Sequence, residues 1–280
     1  MVGGSSRPEF VLFPYCRGIC MIANIQRVII GGVPTDCVSR ADLVGLMLAG
    51  KPHGSSTAKL LFDINGQGLA LCLFDKTYRA HLNSADIVHA DGQPLVTASR
   101  LLTNTPVPER SATTDLFHDV ASVAQKSGKA FFLLGATDEV VHACAETMRK
   151  LYPGLRIAGM RNGYFSEAEE ADVCAEINAS GADIVWVGLG KPKEQAFCVR
   201  NQHRLQADWL VTCGGCFNYV TGAYSRAPIW MQQTGTEWLH RMLTQPRKLF
   251  WRYLSTTPIA LMLLLLRTTE QNTVQLRSTS

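Results

Sequence analysis

Asp183-Ile184-Val185-Trp186-Val187-Gly188-Leu189-Gly190-Lys191-Pro192-Lys193-Glu194-Gln195 is the stretch that decides the fold. Its first residues form a continuous apolar run, rich in β-branched side chains, without the alternation of a strand that has one wet face. Such a run reads as a strand buried on both sides, as strands of parallel sheets are. A glycine turn follows, and then a helix expected from Lys193 to His203. Strand, glycine turn and helix make one half of a βαβ unit.

The same unit recurs on both sides of it. Lys59 to Phe62 forms a strand that delivers Asp63, Ile64 and Asn65 to its end, before a helix from about Gln67 to His81. Ile87-Val88-His89 delivers Ala90-Asp91-Gly92, and a helix from Pro94 to Leu102 follows with proline in its first turn. Further on come strand Ala130–Leu134, helix Asp138–Leu151, strand Leu155–Ala158, helix Ser166–Ala179 and strand Trp209–Thr212. Nearer the start, Arg27–Ile30 reads as a strand ended by Gly31-Gly32, with Ser39 and Asp42 capping a helix to about Leu48. Lys51 to Thr57 is a loop.

Strands alternating with helices predict a doubly wound, mostly parallel α/β sheet of Rossmann-like form. Ligands of such sheets lie beyond the carboxyl ends of the strands. Asn65, Asp91, Gly135, Gly188, Gly190, Gly214 and Gly215 are therefore expected on one rim. Three regions follow: residues 1–24 as an N-terminal extension, 25–222 as the α/β domain, and 223–280 as a helical appendage that begins where Tyr224-Ser225-Arg226-Ala227-Pro228 breaks the pattern.

Composition agrees with a globular chain: 280 residues, 46% hydrophobic and 18% charged, which excludes disorder and collagen-like repeats. The net charge of +4 is unevenly spread. From Arg226 to Arg267 six basic residues face only Glu237, a net of +5, so the remainder carries −1. Basicity confined to the appendage argues against a nucleic-acid partner. Interleaved with Trp238, Leu239, Leu249 and Trp251, it suits either anionic lipid or a phosphate in the site.

The apolar run Ile259–Leu266 has eight residues, against about 20 needed to cross a bilayer, so it is expected to lie in a membrane interface or to pack on the core. Phe10-Val11-Leu12-Phe13 is broken by Pro14 and Arg17 and does not read as a signal peptide. The nine scattered cysteines are expected to be reduced. Cys213-Gly214-Gly215-Cys216 has redox or zinc spacing but no second pair.

Asp91, at the mouth of the cleft, has the placement of a general base, and equally that of a cap for the helix beginning near Pro94. Asn65, one strand away, either orients a sugar hydroxyl or that Asp, or closes a turn. Gly188 to Gln195 makes a competent anion site, a glycine turn entering a helix N-terminus with two lysines. It lacks the order of a Walker A loop, and no Gly-x-Gly-x-x-Gly follows any strand, which weakens a nicotinamide-dependent oxidoreductase. No histidine spacing suggests a metal site.

Taken in order, Ser84-Ala85-Asp86-Ile87-Val88-His89-Ala90-Asp91-Gly92, Gly163-Tyr164-Phe165, Gly188 to Gln195, Gly214-Gly215-Cys216-Phe217-Asn218-Tyr219-Val220-Thr221-Gly222, Arg226-Ala227-Pro228-x-Trp230-Met231-Gln232 and Glu237-Trp238-Leu239-x-Arg241 resemble the WecG/TagA/CpsF glycosyltransferases, from about Arg27 to Leu254. That resemblance implies inverting transfer of a sugar from a UDP-sugar to a polyprenyl-diphosphate-linked saccharide. The setting it implies is cytoplasmic, peripheral on the inner face of a bacterial membrane, with a homo-oligomer as one possible state. Typical donors are UDP-N-acetylmannosamine, its uronic acid, or UDP-glucose. The lack of His or Asp-x-Asp metal spacings disfavours a metal-dependent mechanism, and no cofactor is expected.

By the same resemblance Asp91 and Asn65 are catalytic, Arg241, Arg247 and Arg252 hold diphosphate, and Arg110, matching the family's Pro-Glu-Arg arginine, binds substrate. Gly135, Gly188, Gly190, Lys193, Glu194, Gln195, Gly214, Gly215 and Asn218 complete the substrate site. The chain departs from the family at Glu194-Gln195, where Gln-Glu is common, at Asn218, where Asp is usual, and at Asp63, where Thr is usual. Those departures bear on the donor sugar rather than on the reaction class. A catalytically altered scaffold with the same fold is the alternative.

Overall fold

In the computed structural model, residues 25–51 and 56–271 are described. The expected N-terminal extension, with Phe10 to Phe13, lies outside them, as do residues 52–55 of the expected loop.

Six parallel strands form the main sheet in the order β4-β3-β8-β7-β5-β6. They are β3 (Lys59–Ile64), β4 (Ile87–Ala90), β5 (Ala130–Gly135), β6 (Arg156–Arg161), β7 (Ile184–Gly188) and β8 (Trp209–Thr212). Successive side chains point to opposite faces, and both faces are covered. Leu60, Phe62, Phe132, Leu134, Val185, Val187 and Leu210 enter one core. Leu61, Phe131, Leu133, Ile184, Trp186, Trp209 and Val211 enter the other. There Phe117 meets Trp186 edge to face with centroids 4.8 Å apart, a geometry that adds about 0.5–1.5 kcal/mol to area burial.

The first strand departs from expectation. β1 (Arg27–Ile30) does not join the parallel sheet but pairs antiparallel with β2 (Val33–Asp36). Gly31 and Gly32 both have positive φ, +59° and +85°, the conformation of a two-residue hairpin turn, so the chain reverses at once. Asp36 then ties this small sheet to the edge strand of the large one. Its carboxylate accepts from Arg27 Nε at 2.7 Å and from the Val88 amide at 2.7 Å.

The helices are α1 (Arg40–Ala49), α2 (Gly66–Phe74), α3 (Lys76–Asn83), α4 (Gln93–Leu102), α5 (Thr113–Ser127), α6 (Asp138–Leu151), α7 (Glu170–Ser180) and α8 (Lys193–Asn201). The Ser39–Asp42 capping box starts α1 as expected. The single helix expected over 67–81 is two, because Asp75 leaves the helical conformation and caps α3 through the Tyr78 amide. One helix, α5, has no counterpart among the expected elements, although Leu116, Phe117, Val120, Ala121 and Ala124 repeat at helical spacing.

Beyond β8 the chain forms α9 (Cys216–Val220), α10 (Ile229–Thr234), α11 (Glu237–Thr244), α12 (Pro246–Leu266) and β9 (Thr269–Glu270). Packing of α12 along α2 brings Ala260 against Gly66, where a Cβ would stand 3.4 Å from the alanine methyl. Leu263 and Leu264 enter the core shared with Leu69. After α12 the chain returns to the small sheet, with β9 antiparallel to β1 and Gly32 donating to the Arg267 carbonyl at 2.8 Å. The appendage is therefore fastened at both ends. The outer face of α12 stays exposed, with Phe250, Trp251, Leu254 and Leu266 on it. The seven described cysteines are free thiols, Cys213 and Cys216 included.

Candidate active site

The carboxyl ends of β3 and β4 set the first two groups side by side. Asp63 pairs with His89 and Ile64 with Ala90, so Asn65 and Asp91 are the next step on each strand. The Asp91 amide continues the ladder to the Ile64 carbonyl at 2.9 Å. Asn65 is the N-cap of α2, accepting from the Gly68 amide at 3.2 Å, and its Nδ2 donates to Asp63 Oδ2 at 3.3 Å. It therefore holds the β3 end and the Asp63 carboxylate in one geometry.

Asp91 does not cap α4. The N-cap there is Gly92, and no side chain supplies a bond. Instead Asp91 Oδ1 accepts from the Thr113 amide, at 3.3 Å, in the first turn of α5. The Arg110 Nε donates to the Asp91 carbonyl at 2.9 Å, while its Nη2 stands 4.0 Å from Asp91 Oδ1. The side chain sits at the cleft floor, 23% exposed through the mouth. Burial raises its pKa to about 6; Arg110 opposes the rise and Asp63 adds to it. A carboxylate with that value is ionised at neutral pH and still a competent proton acceptor.

A second group of charges lies behind it. Lys191 Nζ is 2.5 Å from Asp63 Oδ2 and 3.7 Å from Glu194 Oε1. Glu194 Oε2 accepts from the amides of Gly190 and Gly214, each at 3.0 Å, which joins the β7 and β8 loops. The Thr212 hydroxyl donates to Asp63 Oδ1 at 3.1 Å. Burial pushes the Asp63 carboxyl up, but Lys191, His89 and Thr212 outweigh it and hold it below its ordinary value. Burial wins at Glu194, raising it to about 7 against the pull of Lys191. Burial also lowers His89 to about 4, so its fully enclosed ring is neutral.

The appendage supplies a further part of the cleft lining. Arg241 stacks over the Tyr219 ring at 5.4 Å and Arg252 over Tyr253 at 4.8 Å. Among the described residues neither guanidinium has a carboxylate partner, and the Nε of each is buried without a hydrogen bond. Glu237 of α11 does reach across, its Oε2 2.8 Å from Arg110 Nη2. The lining encloses a cleft of about 750 Å³, polar where it meets Asp63, Asp91 and Lys191 and apolar where Leu101, Leu261 and Leu265 line it.

Of the residues expected from sequence, Asp91, Asn65, Arg110, Gly190, Glu194, Gly214, Gly215, Arg241 and Arg252 line this cleft. The others do not. Gly135 and Gly188 lie where loop backbones touch: a Cβ on Gly135 would meet the Gly188 carbonyl oxygen at 2.3 Å, and one on Gly188 the Gly214 oxygen at 2.9 Å. They let three strand ends converge rather than face the cavity. Lys193 is exposed at the start of α8, and the lysine aimed inward is Lys191. Gln195 is buried beside Glu194, donating to Oε1 at 3.4 Å. Asn218 on α9 uses its carbonyl to accept from the Tyr224 amide at 3.0 Å. Arg247 is exposed on α12, at a shallow hollow with Tyr224 and Pro246.

On sequence Glu237 has no role in the site, Lys191 is expected only as one of the two lysines of the anion turn, and Asp63 only as a departure bearing on the donor sugar. A charge closing the apolar run Leu60-Leu61-Phe62 was the available signal for Asp63. No group of three or more His, Cys, Asp or Glu side chains that could hold a metal ion is present among the described residues.

The chain is 34% identical over 181 residues, 65% of its length and 68% of the relative's, to a Bacillus spizizenii protein named N-acetylglucosaminyldiphosphoundecaprenol N-acetyl-beta-D-mannosaminyltransferase. A Bacillus subtilis protein of the same name is 31% identical over 194 residues, 69% of this chain and 73% of that one. The model of the glycosyl transferase WecG/TagA/CpsF family matches residues 28–273, and to that family this chain belongs.

Proposed function

We propose that the chain transfers a sugar, with inversion, from a UDP-sugar to a polyprenyl-diphosphate-linked saccharide at a membrane surface. The observation that carries this is Asp91: a carboxylate at the cleft floor, raised to about 6, in a cleft also lined by two arginines that have no carboxylate partner among the described residues. The two Bacillus relatives, both named as acting on a lipid-diphosphate-linked N-acetylglucosamine, favour that acceptor and an N-acetylmannosaminyl donor.

In this reading the acceptor hydroxyl lies against Asp91 and gives it a proton as the oxygen attacks the anomeric carbon. The bond from that carbon to the β-phosphate oxygen breaks, and its electron pair leaves with UDP. Arg241 and Arg252 stabilise the charge that grows there, more in the transition state than before it. Asn65 fixes the strand end beside Asp91.

The outer face of α12 and its neighbours supports membrane docking. Trp251 and Leu266 are about three-quarters exposed, and Ile229, Trp230 and Leu243 extend the same apolar character onto α10 and α11. Leu249–Leu266 is long and apolar enough to cross a membrane by length and composition, yet its inner face packs on α2 and the chain after it pairs with β1. We read it as lying on the surface.

The test is UDP release from UDP-N-acetylmannosamine and UDP-glucose, with and without a synthetic polyprenyl-diphosphate-N-acetylglucosamine. Acceptor-dependent release is expected. Silence with every donor, from folded protein in the presence of lipid, would overturn the proposal.

A further inference from the structure

The proposed displacement uses Asp91 and the arginines of α11 and α12, and leaves the Asp63–Lys191–Glu194 cluster without a task. That cluster is an expensive thing to build. Its three side chains are between 0% and 6% exposed, and burying charge is unfavourable unless each group finds partners. Two carboxylates share one ammonium. The remaining partners recorded for them are neutral: Thr212, Asn65, Gln195 and two backbone amides. This wall is therefore neutral when Glu194 is protonated and carries −1 when it is not.

The part of the cleft lining that α11 and α12 supply has the opposite character, since Arg241 and Arg252 have no carboxylate partner among the described residues. A nucleotide donor entering the cleft meets a cationic side suited to its diphosphate and an anionic-to-neutral side left for its sugar. Asp63 is tied to Asn65, next to Asp91, so that second side begins beside the reacting centre.

Resting on the reading of the cleft as a UDP-sugar site, we propose that Asp63, Lys191 and Glu194 form the sugar-selecting wall, accepting a neutral hexose or N-acetylhexosamine and rejecting hexuronates. The hydroxyls of a neutral pyranose can donate to the Asp63 carboxylate and accept from the ammonium, while Glu194 keeps its protein partners, so every buried group stays satisfied. A carboxylate on the sugar brings a third anion to a single lysine that Asp63 already holds, in a setting where water cannot screen it. Exclusion comes from repulsion rather than from shape.

The experiment compares two donors that differ only at C6, UDP-N-acetylmannosamine and UDP-N-acetylmannosaminuronate, on the full chain with the polyprenyl-diphosphate-N-acetylglucosamine acceptor. The expected kcat/KM favours the neutral donor by at least about 100-fold. Equal or better use of the uronate overturns the inference and leaves the proposed transfer standing; turnover of neither overturns both. In Asp63→Asn, which removes one anion and keeps the side-chain shape, the preference for the neutral donor should shrink by about tenfold or more. A folded variant with an unchanged preference would show that Asp63 does not read the sugar.

Discussion

Arg110 stands between two carboxylates at unequal distances, its Nη2 2.8 Å from Glu237 Oε2 and 4.0 Å from Asp91 Oδ1. Glu237 belongs to α11 and Asp91 to the end of β4, so the docking of the appendage decides how much of the guanidinium's charge Asp91 feels. Held toward Glu237, Arg110 steadies the Asp91 backbone without fully quenching its basicity. In Glu237→Gln the guanidinium is released toward Asp91, and the pH midpoint of kcat should fall by about one unit, the usual effect of a closer opposite charge. A pH profile measures it. An unmoved midpoint with uniformly lower kcat would mean that Glu237 merely anchors α11.

Wild-type turnover should itself follow Asp91. Below about 6 the carboxyl is protonated and cannot accept the hydroxyl proton, so kcat should drop about tenfold per pH unit there and be level through neutrality. Steady-state rates at saturating donor and acceptor test this.

Asp91→Asn should lower kcat by about 10²- to 10⁴-fold with UDP affinity little changed. The same variant should gain stability at neutral pH. Because the folded chain holds the Asp91 proton more tightly than the unfolded chain, the stability this group gives at low pH is lost as pH climbs through about 6. Asparagine is free of that loss, so its Tm advantage over wild type should widen between pH 4 and pH 7 in thermal melts.

Lys191→Met leaves Asp63 buried without its cation and should cost about 3–5 kcal/mol in urea unfolding. Adding Asp63→Asn to it should recover more than half of the loss, since the stranded charge and not the missing contact is the main penalty. Additive losses would assign the cost to packing instead.

On the outer face of α12, Trp251→Glu with Leu254→Glu should abolish flotation with anionic liposomes while the melting temperature stays within a few degrees. Neither residue lines the cleft. Truncation after Pro246 is a poorer probe, because it removes Leu263 and Leu264 from the core and β9 from β1.

Much of this protein is local and therefore legible in its sequence. Short, β-branched apolar runs such as Ile184–Val187, each closed by a glycine or polar turn and followed by a helix, read as strands covered on both sides, and they determine a parallel sheet and the rim where Asp91 and Asn65 meet. Gly31-Gly32 equally encoded the hairpin that keeps β1 out of that sheet, but the signal is conformational and not hydrophobic. What tertiary structure alone decided is which charges meet. Lys191 and Lys193 are alike in sequence, yet one is drawn to Asp63, 128 positions away, and the other stays in water. Glu237 finds Arg110, while Arg241 and Arg252 have no carboxylate partner among the described residues, because α11 and α12 are held in place by α2 and the small sheet. Electrostatics acts through space and the low dielectric of an enclosed cleft, and neither quantity is written in the spacing of residues along the chain.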